Sequence, residues 1–271
     1  GRSNNPPQSV ARAIGAHPRS RIYTEVGGNQ PQSRLIEFAR DIARGERDLV
    51  LFAGAEAIRN QRQAERQGTT LDWNEEFDVP LDDRGLGADL FTSQEIHNGL
   101  VMPVYFYTLV EQARASAAGR STAQQRAHSA ALMASFSAVA AANPYAEFAG
   151  AHSAQEILAA APMTHLYTRR MVAQDGVNQA AALLMTSVAK ARELGIPRDR
   201  WVFLHGMAEG AEWMLSERPD VGDAPVAAAV LARTLAMAGR SVADIGPIDV
   251  YSCFPCAISV IAQHLGLPDD G

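Results

Sequence analysis

Leu35, Ile36, Phe38, Ala39, Ile42 and Ala43 recur at helical spacing and stop at Gly45, which predicts a helix with one buried face and a C-terminal glycine. Directly after it, Asp48-Leu49-Val50-Leu51-Phe52-Ala53-Gly54 is a continuous apolar run ending in glycine. That pattern predicts a strand covered on both faces. Helix, short turn and buried strand in this order are an α/β layer signature. From Asn60 to Gly87 the chain turns polar, with a glutamine and arginine cluster followed by an acidic stretch from Asp72 to Asp83. Such a length between core elements reads as a functional loop or excursion. Helices are predicted next at about Val104 to Ala118 and Gln124 to Ala142, the second ending before Asn143-Pro144. They read as a small helical insert.

The α/β pattern returns at Ala180 to Met185, an apolar strand followed by a helix over Val188 to Leu194, with Ser187 as N-cap and Gly195 as stop. Trp201 to Leu204 reads as another buried strand, and Val226 to Ala238 as a helix after Pro225. Ile248 to Tyr251 reads as a strand entering a helix over Pro255 to Leu265. Two α/β portions thus flank one helical excursion.

With 271 residues, 47% of them hydrophobic, the chain is long enough to bury about three quarters of the surface its unfolded form exposes. Its net charge of -6 provides no basic field for phosphate backbones or anionic lipid, which argues against general nucleic-acid or membrane-surface binding. No apolar run reaches the roughly 18 residues a bilayer requires. The start, Gly1-Arg2-Ser3-Asn4-Asn5-Pro6-Pro7, carries no apolar signal core. A cytoplasmic protein is expected.

The two cysteines stand in one run, Cys253-Phe254-Pro255-Cys256. A disulfide framework is excluded by their number. A redox dithiol at a helix start is one reading of this spacing, and two half-buried thiols at a strand-helix junction is the other. No second cysteine pair or close histidine pair completes a zinc site, so no metal is expected.

Several phrases in order resemble the thiolase superfamily, specifically the sterol carrier protein X type thiolases and acetyl-CoA acetyltransferase-like proteins. They are Val26-Gly27-Gly28-Asn29 before a helix, the strand Leu49 to Gly54 with Ala55-Glu56, Asn143-Pro144-Tyr145-Ala146-Glu147-Phe148, Asp175-Gly176 before the alanine-rich strand, and Asp249-Val250-Tyr251-Ser252-Cys253-Phe254. The resemblance implies an α/β fold, a five-layer α-β-α-β-α sandwich of two similar halves with a helical loop-domain insert. On that fold the chain is expected to be incomplete at both ends. Residues 1–57 would begin the N-terminal half, 58–172 form the loop domain, 173–196 return to the N-terminal half, and 197–271 form part of the C-terminal half.

What the resemblance implies chemically is a cysteine nucleophile at a strand-to-helix turn, where helix N-terminal N–H groups lower a thiol pKa and meet a thioester oxygen. Matching the phrases puts that position at Gly28, where there is no thiol. Cysteine-dependent thiolysis is therefore not expected, while the anion-binding turn of Gly28 and Asn29 is retained. The family's His-Asp-Cys-Phe motif corresponds here to Tyr251-Ser252-Cys253-Phe254. Tyr251 replaces the histidine, and a phenol still donates to an oxyanion or acts as acid or base. Some thiolase-like steroid side-chain aldolases lack the cysteine and use tyrosines, so Tyr251 points toward carbon-carbon lysis. Read as structure, it is a strand-end tyrosine with a satisfied hydroxyl.

The segment Glu95 to Tyr105 resembles the stretch bordering the pantetheine channel. His97 and Asn98 would meet pantetheine amides, and Met102 and Tyr105 would line an apolar tunnel; each is equally readable as ordinary packing. His128, His152, His165 and His205 read as structural histidines, and Arg59, Arg62 and Arg66 are the candidates for adenine-phosphate contact. The resulting expectation is a thiolase-like acyl-CoA-binding protein of acyltransferase type without its nucleophile, with no covalently bound cofactor and a coenzyme A thioester as ligand. The alternatives are a retro-aldol lyase on acyl-CoA thioesters and a non-catalytic scaffold docking an OB-fold partner protein. A homodimer through Leu49 to Gly54, and a cavity shared by Tyr251 and the Gly28 turn, complete the expectations.

Overall fold

The computed structural model describes residues 3–86, 90–148, 150–251 and 253–268. Gly1 and Arg2 of the N-terminal stretch, Gly87 at the end of the polar excursion and Ser252 of the tyrosine motif lie outside the described residues. In chain order the elements are α1 (Pro6–Ala13), β1 (Ile22–Tyr23), α2 (Gln30–Ala43), β2 (Leu49–Ala57), α3 (Ile58–Gln67), β3 (Asp82–Asp83) and α4 (Ser93–His97). Then follow α5 (Pro103–Ala117), α6 (Thr122–Ala141), α7 (Ala154–Ala159), β4 (Asn178–Thr186), α8 (Val188–Glu193), α9 (Pro225–Ala238) and α10 (Pro255–Leu265). They divide between two compact units, one of residues 1–89 and 175–203, the other of residues 90–174 and 204–271.

In the first unit β2 and β4 form an antiparallel pair in register from Leu49↔Thr186 to Ala57↔Asn178. Along β2, Val50 and Phe52 are half-buried while Leu49 and Leu51 are exposed, the period-two alternation of a sheet covered on one face. Phe52 meets buried Phe38 of α2 edge-on at 6.3 Å, so helix α2 supplies the cover. The expectation of a strand covered on both faces is corrected here. The second face of β2 carries Leu49 and Leu51, and on β4 Leu183 and Leu184 are likewise exposed. Short β1 and β3 pair in parallel.

Helix α3 corrects the reading of 60–87 as wholly loop. Its ten residues bury only Ala64, and glutamine, arginine and glutamate are good helix formers with no need of a core face. Gln61 donates to Glu65 at 3.0 Å, an i,i+4 bond on the exposed face.

The second unit is helical, with a core of Ala130, Ile157, Tyr167, Met171, Phe254 and Cys256. Thr92 caps α4 and Ser121 caps α6 in full capping boxes. The ring of Phe254, immediately before α10, stacks on Tyr107 of α5 at 4.2 Å between centroids, and α10 spans the expected residues. Gly206 packs against α9 so closely that a Cβ there would lie 2.2 Å from the Thr234 carbonyl oxygen.

Neither 201–204 nor 248–251 forms a strand. An apolar run becomes a strand only when another segment completes its ladder, and among the described residues neither run has such a partner. Val202 is accordingly 93% exposed.

Candidate functional site

The Gly28 turn opens α2. Gln30 N–H reaches the Gly27 carbonyl at 3.2 Å, and Asn29 occupies the N-cap without a side-chain capping bond. The Asn29 amide instead folds back, its Oδ1 lying 2.7 Å from where a Cβ on Gly27 would sit. Gly28 and Asn29 are exposed. Gly28 is not among the glycines with left-handed φ, so backbone conformation does not demand glycine there. Close to this turn, Glu25 Oε2, Gln30 Oε1 and Arg34 Nε are buried without a hydrogen-bond partner among the described residues. Arg34 pairs with Glu37 and, at 3.8 Å, with Glu25. No thiol is near in sequence: the two cysteines are Cys253 and Cys256.

Tyr251 belongs to the second unit. It is 67% exposed, with its hydroxyl 3.5 Å from Cys253 Sγ. That hydrogen bond and the nearby thiol push the phenol pKa up, keeping it a neutral proton donor at neutral pH.

Within the second unit an open cleft of about 470 Å³ is lined by Asn98, Gly99, Leu100, Tyr105, Thr108, Leu109, Met163, Thr164 and His165. Asn98 and Tyr105 are thus brought to one cleft, whereas His97 and Met102 are not among its lining residues. The His97 ring Nδ1 lies 2.6 Å from the Ser93 carbonyl, and Met102 is the exposed N-cap residue of α5. Glu95, at the start of the same segment, is buried and structural. It accepts N–H bonds from Thr92 at 2.8 Å and Ser216 at 2.9 Å. Burial alone would raise its pKa, and these bonds bring it below the usual range.

The opposite lining comes from residues 163–165, which sequence reasoning left out except to call His165 structural. Thr108 Oγ1 bonds Thr164 Oγ1 at 3.1 Å, and His165 Nε2 lies 3.1 Å from Gln112 Oε1. Among the described residues no lysine, arginine or carboxylate lines the cleft. It presents amide, hydroxyl and imidazole groups beside Leu100, Leu109 and Met163, a lining suited to a neutral ligand with both polar and apolar parts.

Behind this lining lies a polar cluster that sequence reasoning missed. Glu111 of α5 is 1% exposed and accepts from Tyr167 Oη at 2.6 Å, Ser129 Oγ at 3.1 Å and Gln125 Nε2. Cys256 Sγ lies 3.4 Å from the same Tyr167 hydroxyl. Burial first, and the Glu111 carboxylate second, push the Cys256 thiol up to about 12. A buried thiol held protonated is a poor nucleophile and redox partner at neutral pH, which counts against the dithiol reading of the cysteine pair.

Arg62, one of the phosphate candidates, is engaged on α3 by Asp175 at 2.6 Å and 3.0 Å. Among the described residues no group of three potential metal ligands occurs, and no helix is long and apolar enough to cross a membrane.

No family model matches the sequence, and no curated protein does. Solved structures do. A monomeric SCP2-thiolase-like protein type 1 from Mycobacterium smegmatis is 36% identical, across 100% of this chain and 53% of its own, with a TM-score of 0.80. An Ltp2-ChsH2(DUF35) aldolase is 17% identical, across 97% of this chain and 64% of its own, with a TM-score of 0.71. The chain spans about half the length of the first of these proteins. Its α/β fold is thiolase-like.

Proposed function

We propose that the chain is a thiolase-like protein of the acetyl-CoA acetyltransferase group that binds an acyl-CoA or related thioester without forming an acyl-enzyme. The observation that carries this reading is the placement of the two cysteines: Cys256 is buried in the helical core with its pKa pushed up, Cys253 stands beside Tyr251, and the turn that opens α2 carries Gly28, the position that the resemblance matches to the nucleophile. The 36% identity to an SCP2-thiolase-like protein supports the group. The cleft supports a thioester's neutral arm as the bound segment, since it sets polar Asn98, Thr108, Thr164 and His165 beside apolar Leu100, Leu109 and Met163. The reading keeps 1–57 and 173–196 as parts of the first thiolase half, 58–172 as loop domain and 197–271 as part of the second half.

A second reading, a retro-aldol lyase, is supported by exposed Tyr251, whose hydroxyl, 3.5 Å from Cys253 Sγ, is a candidate proton donor. In that reaction the Cα–Cβ bond of a β-hydroxyacyl thioester breaks, the β-hydroxyl gives up its proton as its carbon becomes a carbonyl, and the α-carbon receives a proton from a donor such as Tyr251. The likeness to the aldolase supports the fold for such chemistry, and the DUF35 component in its description supports looking for a partner protein. The OB-fold scaffold reading has no further support. A homodimer through Leu49 to Gly54 has none either, and the similar M. smegmatis protein is described as monomeric.

The test is titration calorimetry with acetyl-CoA, paired with intact-mass analysis and with product analysis on β-hydroxyacyl-CoA. Binding without a covalent adduct is expected. An acyl group found on Cys253 or Cys256 with turnover overturns the reading, as does absence of binding. Cleavage that falls about a hundredfold in Tyr251→Phe, as for loss of one oxyanion donor, selects the lyase.

A further inference from the structure

The buried carboxylate of Glu111 is expensive. Its partners are a phenol, a hydroxyl and an amide, all neutral, and hydrocarbon of the same volume generally serves packing as well as or better than a buried charge. Networks of this kind fix geometry when every member is satisfied. What Glu111 holds is Tyr167, and Tyr167 closes the turn that forms one side of the cleft. The Tyr167 carbonyl accepts N–H bonds from Met163 at 2.9 Å and Thr164 at 3.2 Å. Thr164 Oγ1 in return accepts the N–H of Leu166 at 3.3 Å and of Tyr167 at 3.1 Å. The same oxygen receives the Thr108 hydroxyl from α5.

One end of Tyr167 therefore ties the loop backbone and the other end is pinned on α5. We infer that Glu111 and Tyr167 are positioning residues that hold Met163, Thr164 and His165 against Asn98, Tyr105 and Thr108, and so set how tightly the cleft grips a neutral, amide-bearing arm. The affinity part of this inference rests on the thioester-binding reading; the positioning part rests on the hydrogen bonds alone.

Tyr167→Phe removes the hydroxyl and leaves the ring that packs at 5.6 Å on Phe254. Two readouts are taken on the full chain at a temperature where wild type and variant are both folded: the dissociation constant for pantetheine, and the methyl spectrum of methionine labelled with ¹³C at its methyl group. Met163 lies in the cleft, and Met237 on α9 serves as control. The expected result is pantetheine binding weakened about tenfold, the scale of one hydrogen bond to a charged group, with the Met163 resonance displaced and the Met237 resonance unmoved. Ser129→Ala, which removes a donor to Glu111 but leaves Tyr167 pinned, is expected to change neither. If Tyr167→Phe does not fold, the isosteric Glu111→Gln takes its place with the same readouts. An unmoved Met163 resonance, or equal displacement of Met163 and Met237, overturns the positioning role. Failure of wild type to bind pantetheine refutes the thioester reading instead, and the ligand-free Met163 resonance still decides the positioning.

Discussion

Cys256 offers a test of how completely the helical core is sealed. Its thiol is fully buried at the start of α10, and its pKa rises from 9.0 to about 12. A group whose folded pKa lies above its unfolded value holds its proton more tightly in the fold. Its contribution is whole below about pH 9 and is lost as the pH rises toward about 12. At about pH 10.5 the thiol of the unfolded chain is ionised while that of the folded chain is not, and at ~1.36 kcal/mol for each pH step above the unfolded pKa the loss reaches about 2 kcal/mol. Cys256→Ala has nothing to titrate. The variant is expected to be less stable than wild type by about 1 kcal/mol at about pH 8, from lost packing, and more stable than wild type by about the same amount at about pH 10.5. The raised Tyr167 phenol is present in both proteins, so its own alkaline titration largely cancels in the difference. Urea unfolding followed by far-ultraviolet circular dichroism at the two pH values measures this, with equal m-values as the check that the unfolded states are comparable. A stability difference that stays constant between the two pH values refutes the reasoning, because the thiol would then ionise as readily in the fold as outside it. That result would also favour the dithiol reading of Cys253 and Cys256.

Gly206→Ala is expected to destabilise the second unit by about 1–3 kcal/mol, the usual cost of overpacking, because the added carbon meets the Thr234 carbonyl of α9 rather than a side chain able to turn away; thermal unfolding that is unchanged would mean the 204–210 segment is free to move off α9. Sedimentation equilibrium of the chain tests the homodimer read from the apolar strand: a dimer abolished by Leu51→Lys would place the interface at Leu49 to Gly54, and a dimer that survives the substitution would exclude it.

Helices α2, α5, α6, α8, α9 and α10 were legible because each carries its evidence locally, whereas α1, α4 and α7, short and with no long apolar stripe, were not read. Leu35 to Ala43 has a stripe and a closing glycine, Val188 to Glu193 has a serine whose hydroxyl accepts the Lys190 N–H at 3.1 Å, and α10 begins at a proline and stops at Gly266 with φ +66°. These signals lie within a few residues of the structure they specify. Strands have no such local guarantee. Residues 49–57 and 178–186 are strands because they pair with each other across more than a hundred residues, while 201–204 and 248–251, equally apolar, have no ladder to join among the described residues. Hydrophobic pattern reports what a segment would bury, and pairing decides whether it becomes a strand. Helix α3 shows the converse: a polar composition says that a segment is exposed, and says nothing against a helix.

The candidate site divides in the same way. The stretch 95–105 was readable as a unit, yet only Asn98 and Tyr105 of its four nominated residues reach the cleft, because α4 and the N-terminal turn of α5 point successive side chains in different directions. The remainder of the lining comes from a turn more than fifty residues further on, tied to α5 by Thr108 to Thr164 and by Glu111 to Tyr167. Those pairings have no sequence spacing to betray them. A signal was nonetheless present: Glu111 stands in α5 one turn after Tyr107 and one turn before Ala115, positions that are half-buried and fully buried. A carboxylate on the core stripe of a helix must find donors or lose its charge, and in this chain its donors come from α6 and from the very turn that shapes the cleft. The residue that most violates the hydrophobic pattern of its helix is therefore the one that links the interior of the unit to its surface opening, and the same argument identifies Tyr167, rather than the exposed Tyr251, as the tyrosine whose hydroxyl the fold has committed.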